Sequence, residues 1–346
     1  MDRIIKQCNP VQGAGWSQTP TVDLTIGPRY RQLLLEVKVV NANTKQPSIL
    51  DCLGLLTLKI GGLPQRQMTA WELNEINKSY GAQYGLNAYK LTSGALTYTN
   101  GVPTAPANGD AGGTIGTAFY LPIFLREPWR KSYSAAEMMA WYTAWADGSV
   151  LSSLSLEMAI PAASANVVSA SGISINVWAE TDNAVGPLDA NKQPVGRIVK
   201  WKRRGLVYGG AGDLVDLSFP KREVYSQISL FSAYHDGKTA LADQSDLTAM
   251  DQITDAKVEV DGRTVRNASK VVNDQALIDD DFNEAALPAD RYDIVFDKSD
   301  NPADGLVMEA NGQTVKEFKV TATVATGTAT AKIIQAISQV YGAIER

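Results

Sequence analysis

The 346-residue chain has a single histidine, His235, and two cysteines, Cys8 and Cys52. That is too few His and Cys ligands for an ordinary zinc site. Ser232, His235 and Asp236 lie close together, but neighbours on a strand point to opposite faces, so their proximity does not make a triad. Two cysteines permit one disulfide and require none, and both read as free thiols of a protein made in a cytoplasm. No phosphate-binding loop is present, because Gly209-Gly210-Ala211-Gly212 lacks the following Lys and Ser/Thr. Residues Met1–Pro10 have no apolar core of secretory type. Met158 to Ala179 is uncharged and long enough to span a bilayer, but Pro161, Asn166, Asn176 and several serines make it too polar for a lipid-facing helix. It reads instead as two strands, Leu151–Ile160 and Gly172–Ala179, around a turn. An excess of basic charge is also missing: the formal net charge is −5. The one basic cluster, Lys200, Lys202, Arg203 and Arg204 beside Trp201, reads as a solvated strand edge guarded against unwanted pairing. No specific nucleic-acid partner is expected.

What the chain does have is the texture of an all-β protein. Val, Ile, Thr and Tyr are common, and 28 glycines and 15 prolines punctuate short runs. Thr21–Ile26, Arg31–Val40, Leu55–Ile60 and Phe119–Leu125 are strands of the first half. Arg197–Tyr208, Leu214–Phe219, Ser226–Ala233, Ala256–Val260, Tyr292–Phe296 and Val315–Ala325 are strands of the second. A helix begins after Thr69, where Thr69 and Glu72 form a capping box, and Gly81 can end it. Further helices are predicted at Ser134–Trp145, whose aromatics pack it against a sandwich or a neighbouring subunit rather than touch membrane or a sugar, and at Val271–Asp279. Residues 92–116 read as a long surface loop, and Ala331–Ile344 as a strand running into a short amphipathic helix. Residues 183–195 lack periodicity and carry Gly186, Pro187 and Pro194. They divide a first unit, 1–182, from a second, 196–346. The first 182 residues hold 13 basic and 13 acidic side chains, and the remainder hold 19 and 24.

The two halves repeat one another. Val22-Asp23-Leu24-Thr25 is echoed by Val215-Asp216-Leu217-Ser218. Pro28-Arg29-Tyr30-Arg31 is echoed by Pro220-Lys221-Arg222, and Gln32-Leu33-Leu34-Leu35 by Gln227-Ile228-Ser229-Leu230. Further on, Leu58-Lys59-Ile60-Gly61-Gly62 with Arg66 matches Val258-Glu259-Val260-Asp261-Gly262 with Arg266, 200 residues later. Each of these second matches precedes a predicted helix. One β-rich unit used twice explains the order of the matches, and a jelly-roll sandwich suits its length and its many short strands.

Acidic residues crowd positions 274–304. Asp279, Asp280, Asp281, Asp297 and Asp300 are the candidate ligands for a structural calcium ion, although their spacing is not that of an EF-hand. No other cofactor and no catalytic residue is expected, so the chain reads as a non-enzyme.

Gly15-Trp16-Ser17-Gln18-Thr19-Pro20, the run Thr25-Ile26-Gly27-Pro28-Arg29-Tyr30, and Leu58-Lys59-Ile60-Gly61-Gly62 resemble the N-terminal domain of corticovirus-type major coat proteins. The resemblance is clearest over roughly the first 80 residues. It implies two tandem jelly rolls, three chains in a pseudo-hexagonal capsomer, and an icosahedral shell over an internal lipid membrane. It also implies contacts with neighbouring capsomers and with penton and minor capsid proteins, in a virion made in a bacterial host. Met1–Gln12 and Lys332–Arg346 are the candidate arms toward neighbours or membrane. A carbohydrate- or receptor-binding jelly-roll spike is the alternative function, since fold alone does not settle it.

Overall fold

The computed structural model describes residues 3–42, 46–110, 113–168, 172–191, 197–207, 214–221, 223–232, 253–279, 287, 291–297, 304–310, 313–325 and 333–343. The first half contains β1 (Ile4–Gln7), β2 (Thr21–Asp23), β3 (Arg29–Val40), β4 (Leu55–Ile60), β5 (Leu63–Thr69), α1 (Ala70–Ser79) and β6 (Asn87–Thr92). Three two-residue strands follow: β7 (Ala95–Leu96), β8 (Tyr98–Thr99) and β9 (Val102–Pro103). After them come β10 (Ile115–Phe124), α2 (Tyr133–Met138), β11 (Leu154–Met158) and β12 (Ser174–Asp182). The second half contains β13 (Arg197–Val207), β14 (Leu214–Ser218), β15 (Val224–Ser232), β16 (Ile253–Val260), β17 (Arg263–Ser269), α3 (Lys270–Asp279) and β18 (Arg291–Val295). It ends with the short β19 (Leu306–Val307), β20 (Glu309–Ala310) and β21 (Gln313–Thr314), then β22 (Phe318–Val324) and β23 (Ile333–Ala343).

Strand pairing makes the same object twice. In the first half one sheet runs β1-β12-β3-β10 and continues to β6 and β7, while the facing one runs β2-β11-β4-β5. In the second half the corresponding orders are β13-β23-β15-β18 and β14-β22-β16-β17. The fold is a double jelly roll. Alternation builds it: on β3, Leu33, Leu35, Val37 and Val39 are fully buried in the first core, and Gln32 and Leu34 are not. A second core gathers Leu217, Tyr225, Ile228, Leu230, Phe318 and Val320.

The repeat extends to single bonds. The β4–β5 turn at Gly61-Gly62 and the β16–β17 turn at Asp261-Gly262 have positive φ at both positions, the geometry that closes a twisted two-residue hairpin. Both hairpins slip register at the same place, after Leu58 opposite Arg66 and after Val258 opposite Arg266. The ladder of β3 with β12 skips Arg31, and that of β15 with β23 skips Ser226. The Tyr30 hydroxyl donates to the Thr25 carbonyl at 2.8 Å and that of Tyr225 to Pro220 at 2.7 Å. Asn77 on α1 reaches the Pro122 carbonyl at 3.0 Å, and Asn273 on α3 the Asp293 carbonyl at 2.9 Å.

The capping box forms as expected: Thr69 accepts from the Glu72 amide at 3.1 Å, and Glu72 accepts from the Thr69 amide at 2.7 Å. Thr69→Ala is expected to cost about 1 kcal/mol, read as a lower denaturant midpoint at unchanged slope.

Four expectations are corrected. The helix at Ser134–Trp145 stops at Met138, because Trp141 exchanges backbone bonds with Tyr30 at 2.8 and 2.9 Å. Trp141 and Trp145 sink into the first core instead. The C-terminal segment Ile333–Ala343 is strand throughout and lies between β13 and β15, so this part of Lys332–Arg346 is an inner strand and not an arm. Within residues 92–103 two short hairpins, β6–β7 and β8–β9, interrupt the expected surface loop. The basic cluster is no solvated edge: Lys200 and Trp201 are buried on β13, which pairs with β23 on one side and meets β5 on the other.

Candidate assembly interface

The chain's most elaborate side-chain chemistry lies where β5 and α1 of the first unit meet β13, β23, β15 and β18 of the second. It starts from one parallel bridge, Trp201 against Arg66, which joins the edge strand of one unit to the edge strand of the other. Arg66 is only 3% exposed. Its guanidinium donates to the Val199 carbonyl at 2.7 Å and to the Phe124 carbonyl, and lies between the rings of Trp141 and Trp201 at 5.3 and 5.4 Å. Burial pulls its basicity down to about 9, with Glu127 opposing the fall, so it stays charged at neutral pH.

Helix α1 presents one face to the second unit. Trp71 packs edge-on against Phe231 at 5.5 Å. Glu72, already in the capping box, receives Arg203 at 3.1 and 3.2 Å. Arg291 is held by Asp293, lies over Phe231 at 5.3 Å, and reaches back to Ser79 Oγ at 3.2 Å and to the Glu75 carbonyl. Tyr80 stacks on Trp129 at 3.9 Å and donates to Gln227 at 2.5 Å, while Gln339 donates to Tyr80 at 3.3 Å.

Beside these, Arg130 crosses the junction. It bonds Glu127 at 3.2 Å on its own side, and Asp297 at 2.7 Å and Tyr341 at 2.6 Å on the other. Ser226 donates to Asp297 at 2.9 Å, and so does the Tyr341 hydroxyl. Burial pushes the Glu127 carboxyl above its ordinary value, opposed by Arg130. Charges so far from water persist only when paired and hydrogen-bonded, and such pairing is directional. The junction therefore holds the two units in one orientation.

Of the five calcium candidates, Asp297 belongs to this junction as the partner of Arg130. Asp279 sits exposed at the end of α3, accepting from Gln275 at 2.7 Å. Asp280, Asp281 and Asp300 lie outside the described residues, as does His235. Among the described residues no group of three or more His, Cys, Asp or Glu could hold a metal ion, and no helix is long and apolar enough to cross a membrane. Ser232 is buried. Both cysteines are free, and burial pushes the Cys8 thiol up to about 11 against the pull of Lys6. The sequence reading missed Arg66, Arg130 and Arg291 as junction residues. The only signal available was the recurrence of Arg66 as Arg266.

Residues 5–92 match the family model of the viral coat protein P2 N-terminal domain. No curated protein matches the chain in sequence. Among solved structures, the major capsid protein P2 of bacteriophage PM2 is similar at 13% identity and a TM-score of 0.63, over 100% of this chain and 99% of that one. The structure of Sulfolobus turreted icosahedral virus includes a chain similar at 10% identity and a TM-score of 0.64, over 99% and 91%. A chain of the PBCV-1 virus capsid is similar at 10% identity and a TM-score of 0.61, over 98% and 93%.

Proposed function

We propose that the chain is a double jelly-roll coat protein of the corticovirus type, and so a structural protein of the capsid, and that three copies form a pseudo-hexagonal capsomer that tiles an icosahedral shell over an internal lipid membrane. The observation that carries this reading is the duplication, in strand order and in several single hydrogen bonds, of one sandwich joined head to tail with its copy. A head-to-tail contact between similar units builds a ring when its rotation closes. With two units per chain, three chains supply a ring of six near-equal units, which packs as hexagons do. On this reading residues 1–182 form one unit, 183–195 the linker and 196–346 the other. The partners are then neighbouring capsomers and penton and minor capsid proteins; within Met1–Gln12, Ile4–Gln7 are a sheet-edge strand paired with β12 and so meet a neighbour as an edge and not as a free arm. Synthesis is in the cytoplasm of a bacterial host.

Light scattering on the purified protein tests this. A solution mass of three times 37.3 kDa is expected. Repeating it in calcium and then in chelator tests for interface ions at the acidic run, which would show as dissociation in chelator. A monomer at every concentration overturns the capsomer reading and favours the glycan-binding alternative.

A further inference from the structure

The faces that meet inside the chain each recur once more, uncovered. Position 66 has its counterpart at 266 and position 65 at 265, by the shared register break of the two hairpins. On β5, Gln65 and Arg66 are buried under the second unit, whereas Val265 on β17 is 51% exposed. On α1, Trp71 and Glu72 hold Phe231 and Arg203. At the same distance after the hairpin, α3 carries Val271 and Val272, which are 79% and 62% exposed. Val265, Val271 and Val272 are thus exposed apolar side chains at positions whose counterparts in the first unit face the second.

The receiving side recurs too. Strand β13 pairs with β23 as β1 pairs with β12, and the ladders place Ile5 where Trp201 stands. Trp201 is 3% exposed against β5, and Ile5 is 65% exposed with no strand on its outer side among the described residues. By the same ladders, Glu36 and Trp178 stand where Phe231 and Ile337 face the first unit. Glu36 is buried there and Trp178 half-buried. Glu36 accepts from Tyr120 at 2.9 Å, Asn176 at 2.8 Å and Trp178 at 3.5 Å, and pairs with Lys38 at 2.9 Å. Burial alone would raise its carboxyl, but the bonds from Asn176, Lys38 and Tyr120 bring it below the usual carboxylate value.

We infer that β17 and the Val271-Val272 face of α3 dock onto β1 and the Glu36–Trp178 surface of a second copy of this chain, with Arg266 set opposite the partner's Ile5 as Arg66 is opposite Trp201. The occupant is a second copy because the surface that fits β5 and α1 among the described residues is the one that β1, β12, β3 and β10 duplicate. The contact is heterologous, so each chain gives one face and receives one, and the exposed edges of β17 and β1 close on each other. This deepens the capsomer reading and rests on it.

The test uses two variants of the full chain, both altered at exposed positions so that folding is preserved: Val271→Asp/Val272→Asp on the giving face and Ile5→Asp on the receiving face. Circular dichroism and melting temperature check the fold. With the wild type a trimer, each variant alone is expected to fall threefold in mass to the monomer, because either change breaks every contact of the ring. Mixed in equal amounts, they are expected to form a two-chain species and nothing larger, since only one of the contacts between them is intact. Variants that stay trimeric, or a mixture that stays monomeric, overturn this pairing and leave the capsomer reading standing. A monomeric wild type overturns both.

Discussion

Arg130→Met is expected to lower the unfolding free energy by about 3–5 kcal/mol at pH 8, the cost of removing one partner from a buried ion pair. Among the described residues, Arg130 is the one cation bonded to both Glu127 and Asp297, two carboxylates that are almost fully buried. Without it, Glu127 keeps its burial and loses the stronger of the two positive charges, Arg130 and Arg66, that opposed the upward shift of its pKa. A carboxyl whose folded pKa lies above its unfolded value binds its proton earlier in the folded state. The instability it causes is therefore fully present at high pH and fades as the pH falls toward the unfolded value. The deficit of the variant is accordingly expected to shrink between pH 8 and pH 5, as Glu127 becomes neutral. Adding Glu127→Gln should recover part of the loss at pH 8 and flatten this pH dependence. Chemical unfolding at both pH values measures it, and an Arg130→Met deficit identical at pH 8 and pH 5 would exclude an unpaired Glu127 as the cause.

The second large effect is expected at Arg66. Arg66→Met should cost about 3–5 kcal/mol, since it leaves the Val199 and Phe124 carbonyls without this donor and removes the cation between two indole rings. Its counterpart Arg266 makes the matching bond, to the Val295 carbonyl at 2.9 Å, and also reaches Asn273. It is only half-buried, however. In the isolated chain Arg266→Met should therefore cost less, about 1–2 kcal/mol. The contrast between two residues in one structural position measures what the second unit adds by covering the first. Equal costs would mean that the junction contributes nothing to holding Arg66. If the faces of β17 and β1 pair between chains, Arg266→Met should also weaken the trimer, while its effect on monomer stability stays small.

Much of the fold was legible in the residues. Local signals sufficed where local physics decides: the Thr69–Glu72 box starts α1, the Gly61-Gly62 and Asp261-Gly262 turns close hairpins, and alternation along Arg31–Val40 marks a half-buried strand. The recurrence of these signals in one order foretold two copies of a unit, and the run Gly15–Tyr30 lies within residues 5–92, which match the viral coat protein P2 N-terminal domain.

Other features depended on chain segments far away. Leu63–Thr69 has no apolar alternation and went unrecognised as a strand, because Gln65 and Arg66 owe their burial partly to β13, some 130 residues later in the chain. Lys200–Arg204 looks like a solvated edge until β23 pairs along it and Glu72 neutralises Arg203. Ser134–Trp145 has helical composition, yet two backbone bonds from Tyr30 and the burial of Trp141 outweigh that propensity beyond Met138. Composition and local pattern thus settled that there are two sandwiches. Which edges of those sandwiches are covered and which are left open was decided only by their packing, because burial of a polar strand depends on a partner that its own sequence does not contain.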